Sequence, residues 1–197
     1  MNITTEQIKI LRDATGVSVM QCKKALEEAG GDMEKAKIIL HKISKQSAEK
    51  KSGRTLGAGT IGYYIHSNGS VGSMVELLCE TDFVAKNQEF ISLARDIAMH
   101  ITAMSPQYVS MDDVSDNDLN KAKEHFSNEA DPDRKKQAEI RDKIIAGKLA
   151  AYFSEKVLLD QKFIKDPETT IRSLVEHATQ KFGERTEIGK FVRLSIN

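Results

Sequence analysis

The side chains best suited to chemistry in this chain of 197 residues are Cys79 and the five histidines at 41, 66, 100, 125 and 177. A thiol beside an imidazole would make a nucleophile and its base, and His66 and His100 are the candidate partners for Cys79. Cys79 falls, however, on the same alternating positions as Val75 and Leu77, which predicts a thiol packed in a core. The histidines show no metal-ligand spacing, and Cys22 stands too far from Cys79 in sequence to suggest a zinc pattern or a disulfide framework. Glu80 and Asp82 are candidates for a carboxylate pair, although acids this close beside a turn more commonly cap or face water. No Walker loop and no GxGxxG occurs, so the chain is expected to bind no nucleotide, cofactor or metal itself. These residues compose no catalytic centre, and the expectation is a protein that is not an enzyme.

Two features point elsewhere. Phe83 is a large aromatic in a short polar connection, next to Asp82 and followed by Val84. It has two readings: a staple holding the next helix to a sheet, or a projecting anchor for a partner protein. Lys23 and Lys24 sit on one helix with Arg12 on the helix before. They form either a solvated face or a surface that docks on an acidic helix.

Twenty-nine basic residues balance twenty-nine acidic ones, which argues against nucleic acid as the main partner, because phosphate binding needs a basic excess. The balance hides local blocks: counting by segment gives +4 over 42–56, −6 over 111–133 and +4 over 134–150. Such alternation fits solvated helix faces and linkers, or a protein-docking surface. No apolar run is long enough to span a bilayer, and the first residues show no secretory signal. With sparse cysteine, this predicts a cytoplasmic location.

The elements that would position these residues follow from periodicity. Residues 1–41 read as three short helices: Thr4 with Gln7 and Ser18 with Gln21 form capping boxes, Gly16 and Gly30-Gly31 are stops, and Asp32 caps the third helix. Residues 42–56 lose the apolar stripe and read as a basic linker, helical at most at its start. From 57 onward Ile61, Tyr63 and Ile65 alternate, Asn68-Gly69 marks a turn, and Val71 to Cys79 alternate again, which is a β-hairpin. A helix is expected over 88–103, followed by helices over 116–129 and 133–155, the latter opened by Asp131 and Pro132. A strand element over 157–164, a helix opened by Asp166-Pro167 and closed by Gly183, and a last strand through Val192, Leu194 and Ile196 complete the chain. The class is α+β: a helical head at 1–41, a linker at 42–56, and a core at 57–197 with a three-stranded antiparallel sheet packed by helices. Such a sheet has more apolar surface than one helix can cover, which predicts a homodimer through the core sheets.

The chain resembles a known family at the residues singled out above. Leu11-Arg12-Asp13-Ala14-Thr15-Gly16, then Met20-Gln21-Cys22-Lys23-Lys24-Ala25-Leu26 and Gly31-Asp32, are similar to the N-terminal signature of translation elongation factor Ts. Thr81-Asp82-Phe83-Val84-Ala85-Lys86-Asn87 is similar to its second signature. Residues 97–101 and 161–167 match as well, and the resemblance runs in the family's order along nearly the whole chain. It implies a guanine-nucleotide exchange factor that binds elongation factor Tu, first GDP-bound and then nucleotide-free. A ubiquitin-associated-like head would dock through Arg12, Met20 and Lys23. Thr81, Asp82, Phe83 and Val84 would face helices beside the nucleotide site, with Phe83 as a wedge. Short members of this kind pair as homodimers. The rival readings are a ubiquitin-associated-type binding module on an unrelated scaffold, and a small cysteine hydrolase built around Cys79.

Overall fold

The computed structural model describes residues 3–130 and 138–196. Helix α1 (Thr5–Thr15) opens on Thr4, whose hydroxyl accepts the Gln7 N–H while the Gln7 side chain accepts the Thr4 N–H. It closes on Gly16, whose φ of +66° suits glycine. Helix α2 (Val19–Glu28) is capped by the Ser18 hydroxyl, which accepts from Gln21 N–H. The box expected there is half formed, because the Gln21 side chain accepts the Ser18 hydroxyl. Asp32 caps helix α3 (Met33–Lys51) by accepting the N–H groups of Glu34 and Lys35. Leu11, Val17, Cys22, Leu26 and Leu40 close the small core between these helices.

The expected linker is corrected here. Helix α3 continues to Lys51 instead of loosening after residue 41. Its later turns pack against helix α8 (Ile171–Phe182). Ser44 is fully buried and donates to the Gln180 side chain, Lys51 donates to the Thr179 carbonyl, and the His41 and His177 rings meet edge to face. A helix face of small and polar residues leaves no apolar stripe, so the sequence pattern reads it as linker although it is packed.

Strands β1 (Ala58–Ile65) and β2 (Val71–Cys79) form the hairpin, and β5 (Glu187–Ser195) adds antiparallel to β2, giving the order β1-β2-β5. The register sets Tyr63 opposite Met74 and Met74 opposite Val192, while Gly62 and Phe191 flank Val75 on the other face. The chain then turns through helix α4 (Asp82–Ala85), where a tight connection was expected, into helix α5 (Gln88–Met104). Helix α5 covers the inner face of the sheet with Phe90, Ala94, Ile97 and Ile101, against Val75 and Leu77. It lies so close to β1 that a Cβ on Gly62 would overlap the Ala94 carbonyl.

Helix α6 (Asp116–Ala130) and helix α7 (Ala138–Ser154) lie antiparallel, Lys148 bonding Glu129 at 2.7 Å and Tyr152 meeting Phe126 edge to face. The expected opening by Asp131 and Pro132 lies outside the described residues. Strand β3 (Lys162–Phe163) pairs with strand β4 (Asp166–Thr170). This corrects two expectations. Residues 157–164 hold a 3-10 turn before a two-residue strand, and Asp166-Pro167 opens no helix. Asp166 accepts from Glu168 N–H and the Thr169 hydroxyl to make a turn, and α8 is capped by Thr170. Tertiary pairing with β3 overrides the local helix-start signal. The class is α+β, helices packed on a three-stranded antiparallel sheet.

Candidate functional site

Helix α4 is a single turn, and its two ends differ in burial. Val84 and Ala85 face the core, whereas Phe83 is 82% exposed. The staple reading fails on that number: a staple is covered by what it holds. Val84, named among the contact candidates, is a core residue under the turn and supports Phe83 from behind. Asp82 stands beside Phe83 and accepts from Lys86 Nζ at 2.6 Å, one turn along. The Lys86 ammonium, by hydrogen bond and by charge, holds the Asp82 carboxyl below the usual carboxylate range. The exposed end of the turn is therefore an aromatic ring flanked by an ion pair.

Glu80 does not pair with Asp82. Its Oε1 accepts the Arg185 N–H at 2.6 Å and an Arg54 guanidinium N–H at 3.2 Å, and these donors, Arg185 first, lower its carboxyl pKa. Glu184 reciprocates from the other side. Its Oε2 accepts the N–H groups of Glu80 and Thr81 at 3.1 and 3.0 Å, and its Oε1 accepts the Thr81 hydroxyl at 2.6 Å. Thr81 is the N-cap residue of α4, but its side chain caps nothing within the helix. Arg185 closes the set by donating to the Arg54 carbonyl and to Glu187. Three chain segments meet here: the exit from α3, the β2–α4 turn and the α8–β5 turn. Sequence reasoning missed Glu184 and Arg185, and no local signal marks residues more than a hundred positions from the turn they hold.

The remaining candidates lie on the head. Arg12 is exposed on α1; Met20 is 66% exposed and Lys23 exposed on α2, where Lys23 pairs with Glu27 at 3.8 Å. They share the helical head and are separate in the fold from the Thr81–Val84 turn. Besides the Arg54–Glu80 pair, a tie between the two regions runs through α8: Lys181 lies against Gly16 of the head and donates to Glu89 of α5 at 2.8 Å.

The hydrolase reading loses its parts. Cys79 is fully buried and donates to the Thr81 carbonyl at 3.2 Å. Burial and the nearby Glu184 carboxylate push its thiol pKa up, the opposite of an activated nucleophile. His100 is buried between Gln161 Oε1, at 2.8 Å from Nε2, and the Ile164 N–H, which donates to Nδ1. That fixes a neutral ring protonated at Nε2, and burial lowers its pKa. His66 sits at the hairpin tip near the Tyr64 hydroxyl. Among the described residues no group of three or more His, Cys, Asp or Glu could hold a metal ion, and no helix is long and apolar enough to cross a membrane.

The fold thus combines an exposed aromatic on a braced turn, a helical head and a sheet with one helix-covered face. A family model described as "Elongation factor TS" matches residues 11–197. The chain is 43% identical over 196 residues to Elongation factor Ts of Coprothermobacter proteolyticus, covering 100% of this chain and 99% of the relative. It is 44% identical to Elongation factor Ts of Thermodesulfovibrio yellowstonii (100% and 97% covered) and 44% identical to that of Carboxydothermus hydrogenoformans (98% and 89% covered). The family model spans nearly the whole chain and these relatives match it at more than 40% identity over almost its full length, so the chain belongs to the elongation factor Ts family of translation elongation factors.

Proposed function

We propose that the chain is a guanine-nucleotide exchange factor that binds elongation factor Tu and promotes GDP release. The observation that carries the reading is Phe83: a large ring, 82% exposed, on a turn whose next two residues are buried. Exposed aromatics on rigid supports are the usual anchors of protein interfaces. The role needs no covalent step on this chain. Factor and nucleotide bind the same GTPase, each weakens the other, and the coupling is reciprocal by thermodynamic necessity. Phe83, with Thr81 and Asp82 beside it and Val84 behind it, would press on helices next to the nucleotide. The ubiquitin-associated-like head would add a second contact through Arg12, Met20 and Lys23. The setting is cytoplasmic, with neither nucleic acid nor membrane as partner.

The same reading includes a homodimer. The outer face of the sheet carries Tyr63, Ile65, Met74, Val192, Leu194 and Ile196, all between 47% and 80% exposed. They line a shallow trough of about 560 Å³. A contiguous apolar face of this kind is unusual on a monomer. A second copy packed sheet to sheet, about 10 Å away, would cover it. The test of binding is gel filtration with nucleotide-free elongation factor Tu. A stable complex that dissociates on adding GDP supports the reading, and a complex indifferent to GDP contradicts it.

A further inference from the structure

Phe83 can act as an anchor only if the single turn that carries it holds one position, and a one-turn helix does not hold itself, because nucleation of a helix is unfavourable. Its C-terminal side is held by burial of Val84 and Ala85. Its N-terminal side is held by Glu184, which accepts three hydrogen bonds from Glu80 and Thr81. Glu80 returns one bond to the Arg185 N–H. Glu184 itself follows Gly183, whose φ of +73° ends α8 and aims the next residue back at the turn. The brace therefore joins the end of α8 to the entry of α4.

We propose that Glu184 is a positioning residue for Phe83: it presets the anchor, so that elongation factor Tu meets an already ordered turn. This rests on the exchange-factor reading above. Glu184 is half-buried and belongs to none of the apolar clusters, so its loss uncovers no core and leaves the sheet and helices in place. What changes is the fraction of molecules with the turn in its binding position. If that fraction falls to about a tenth, the apparent dissociation constant rises about ten-fold, while the bound complex is unchanged. The effect must also run through Phe83, and residues acting through one another give non-additive double mutants.

The experiment uses the full chain with Glu184→Ala, Glu184→Gln, Phe83→Ala and the double variant E184A/F83A. Amide hydrogen exchange is read over 80–87, and fluorescent-GDP release from elongation factor Tu is titrated with each protein. Expected for E184A are faster amide exchange confined to 80–87, a half-saturating concentration raised about ten-fold and an unchanged maximal release rate. Glu184→Gln, which keeps a carbonyl acceptor, should recover most of the loss, and E184A should cost much less in the F83A background than in the parent protein. Unchanged amide exchange at 80–87 overturns the proposal. So does an E184A loss that persists in full without Phe83, or exchange that rises across α8 and the sheet together with a large fall in melting temperature. If the unaltered protein fails to release GDP, the exchange-factor reading falls by itself, and amide exchange alone decides whether Glu184 braces the turn.

Discussion

Replacing Phe83 by alanine separates an anchor from a staple, and its exposure sets the size of each effect. Phe83 is 82% exposed, so less than a fifth of its side chain leaves water on folding. With roughly 200 Å² on an aromatic side chain and about 25 cal/mol per Å², that burial stabilises the fold by about 1 kcal/mol at most. For a chain of this size 1 kcal/mol corresponds to about 2–4 °C in melting temperature. Phe90 is fully buried in the same core, and Phe90→Ala should cost about 3–5 kcal/mol. In binding the order reverses: a central aromatic anchor is worth about 2 kcal/mol or more, which is roughly a thirty-fold loss of affinity. The assay is a pair of thermal melts and a pair of GDP-release titrations on the two variants. Phe83→Ala should melt within about 4 °C of the parent protein and lose most exchange activity. A melting temperature that falls as far as that of Phe90→Ala, with full activity in the folded fraction, would refute the anchor.

Leu194→Lys, placed on the 71% exposed outer-face leucine, should convert a dimer into a folded monomer, read by sedimentation equilibrium under reducing conditions; a parent protein already monomeric at tens of micromolar concentration refutes the dimer. Acid should weaken the fold through His100, and His177 adds to it with the same sign, because burial lowers both rings from 6.5 in the folded chain. The unfolded chain then binds more protons, so stability present above about pH 6.5 is lost as pH falls toward the lowered values, by up to about 1.4 kcal/mol per pH unit for each ring. Urea unfolding across that range checks it, and His100→Gln should flatten the slope. Lys23→Glu, on the exposed face of α2, should slow association with elongation factor Tu at low salt and make little difference at high salt, where exposed charges are screened; stopped-flow association at two salt concentrations reads this.

The parts of the fold legible in the sequence are those whose determinants are local. The hairpin turn at Asn68-Gly69 shows Gly69 at φ +69°, and α5 runs close to its predicted bounds because Phe90, Ala94, Ile97 and Ile101 repeat at helical spacing. The illegible parts depend on partners distant in sequence. The second half of α3 buries Ser44, which has no apolar signature, against a helix whose first residue comes 127 positions later. Strand β4 follows from pairing with β3, which an Asp-Pro helix signal outweighs in a local reading. At the candidate site, Phe83 stands out in the sequence but its orientation does not, since spacing alone fits both a staple and an anchor and only the fold shows the ring 82% exposed. Glu184 carried no signal at all, because its bonds to the Thr81 turn span 103 and 104 positions.

The most direct test of nucleotide exchange is the rate at which fluorescent GDP leaves elongation factor Tu when excess unlabelled GDP is mixed in, with and without this protein. Micromolar protein should raise the release rate many-fold, saturating with concentration, with no GTP hydrolysed by the protein alone. An unchanged release rate at that concentration would contradict it.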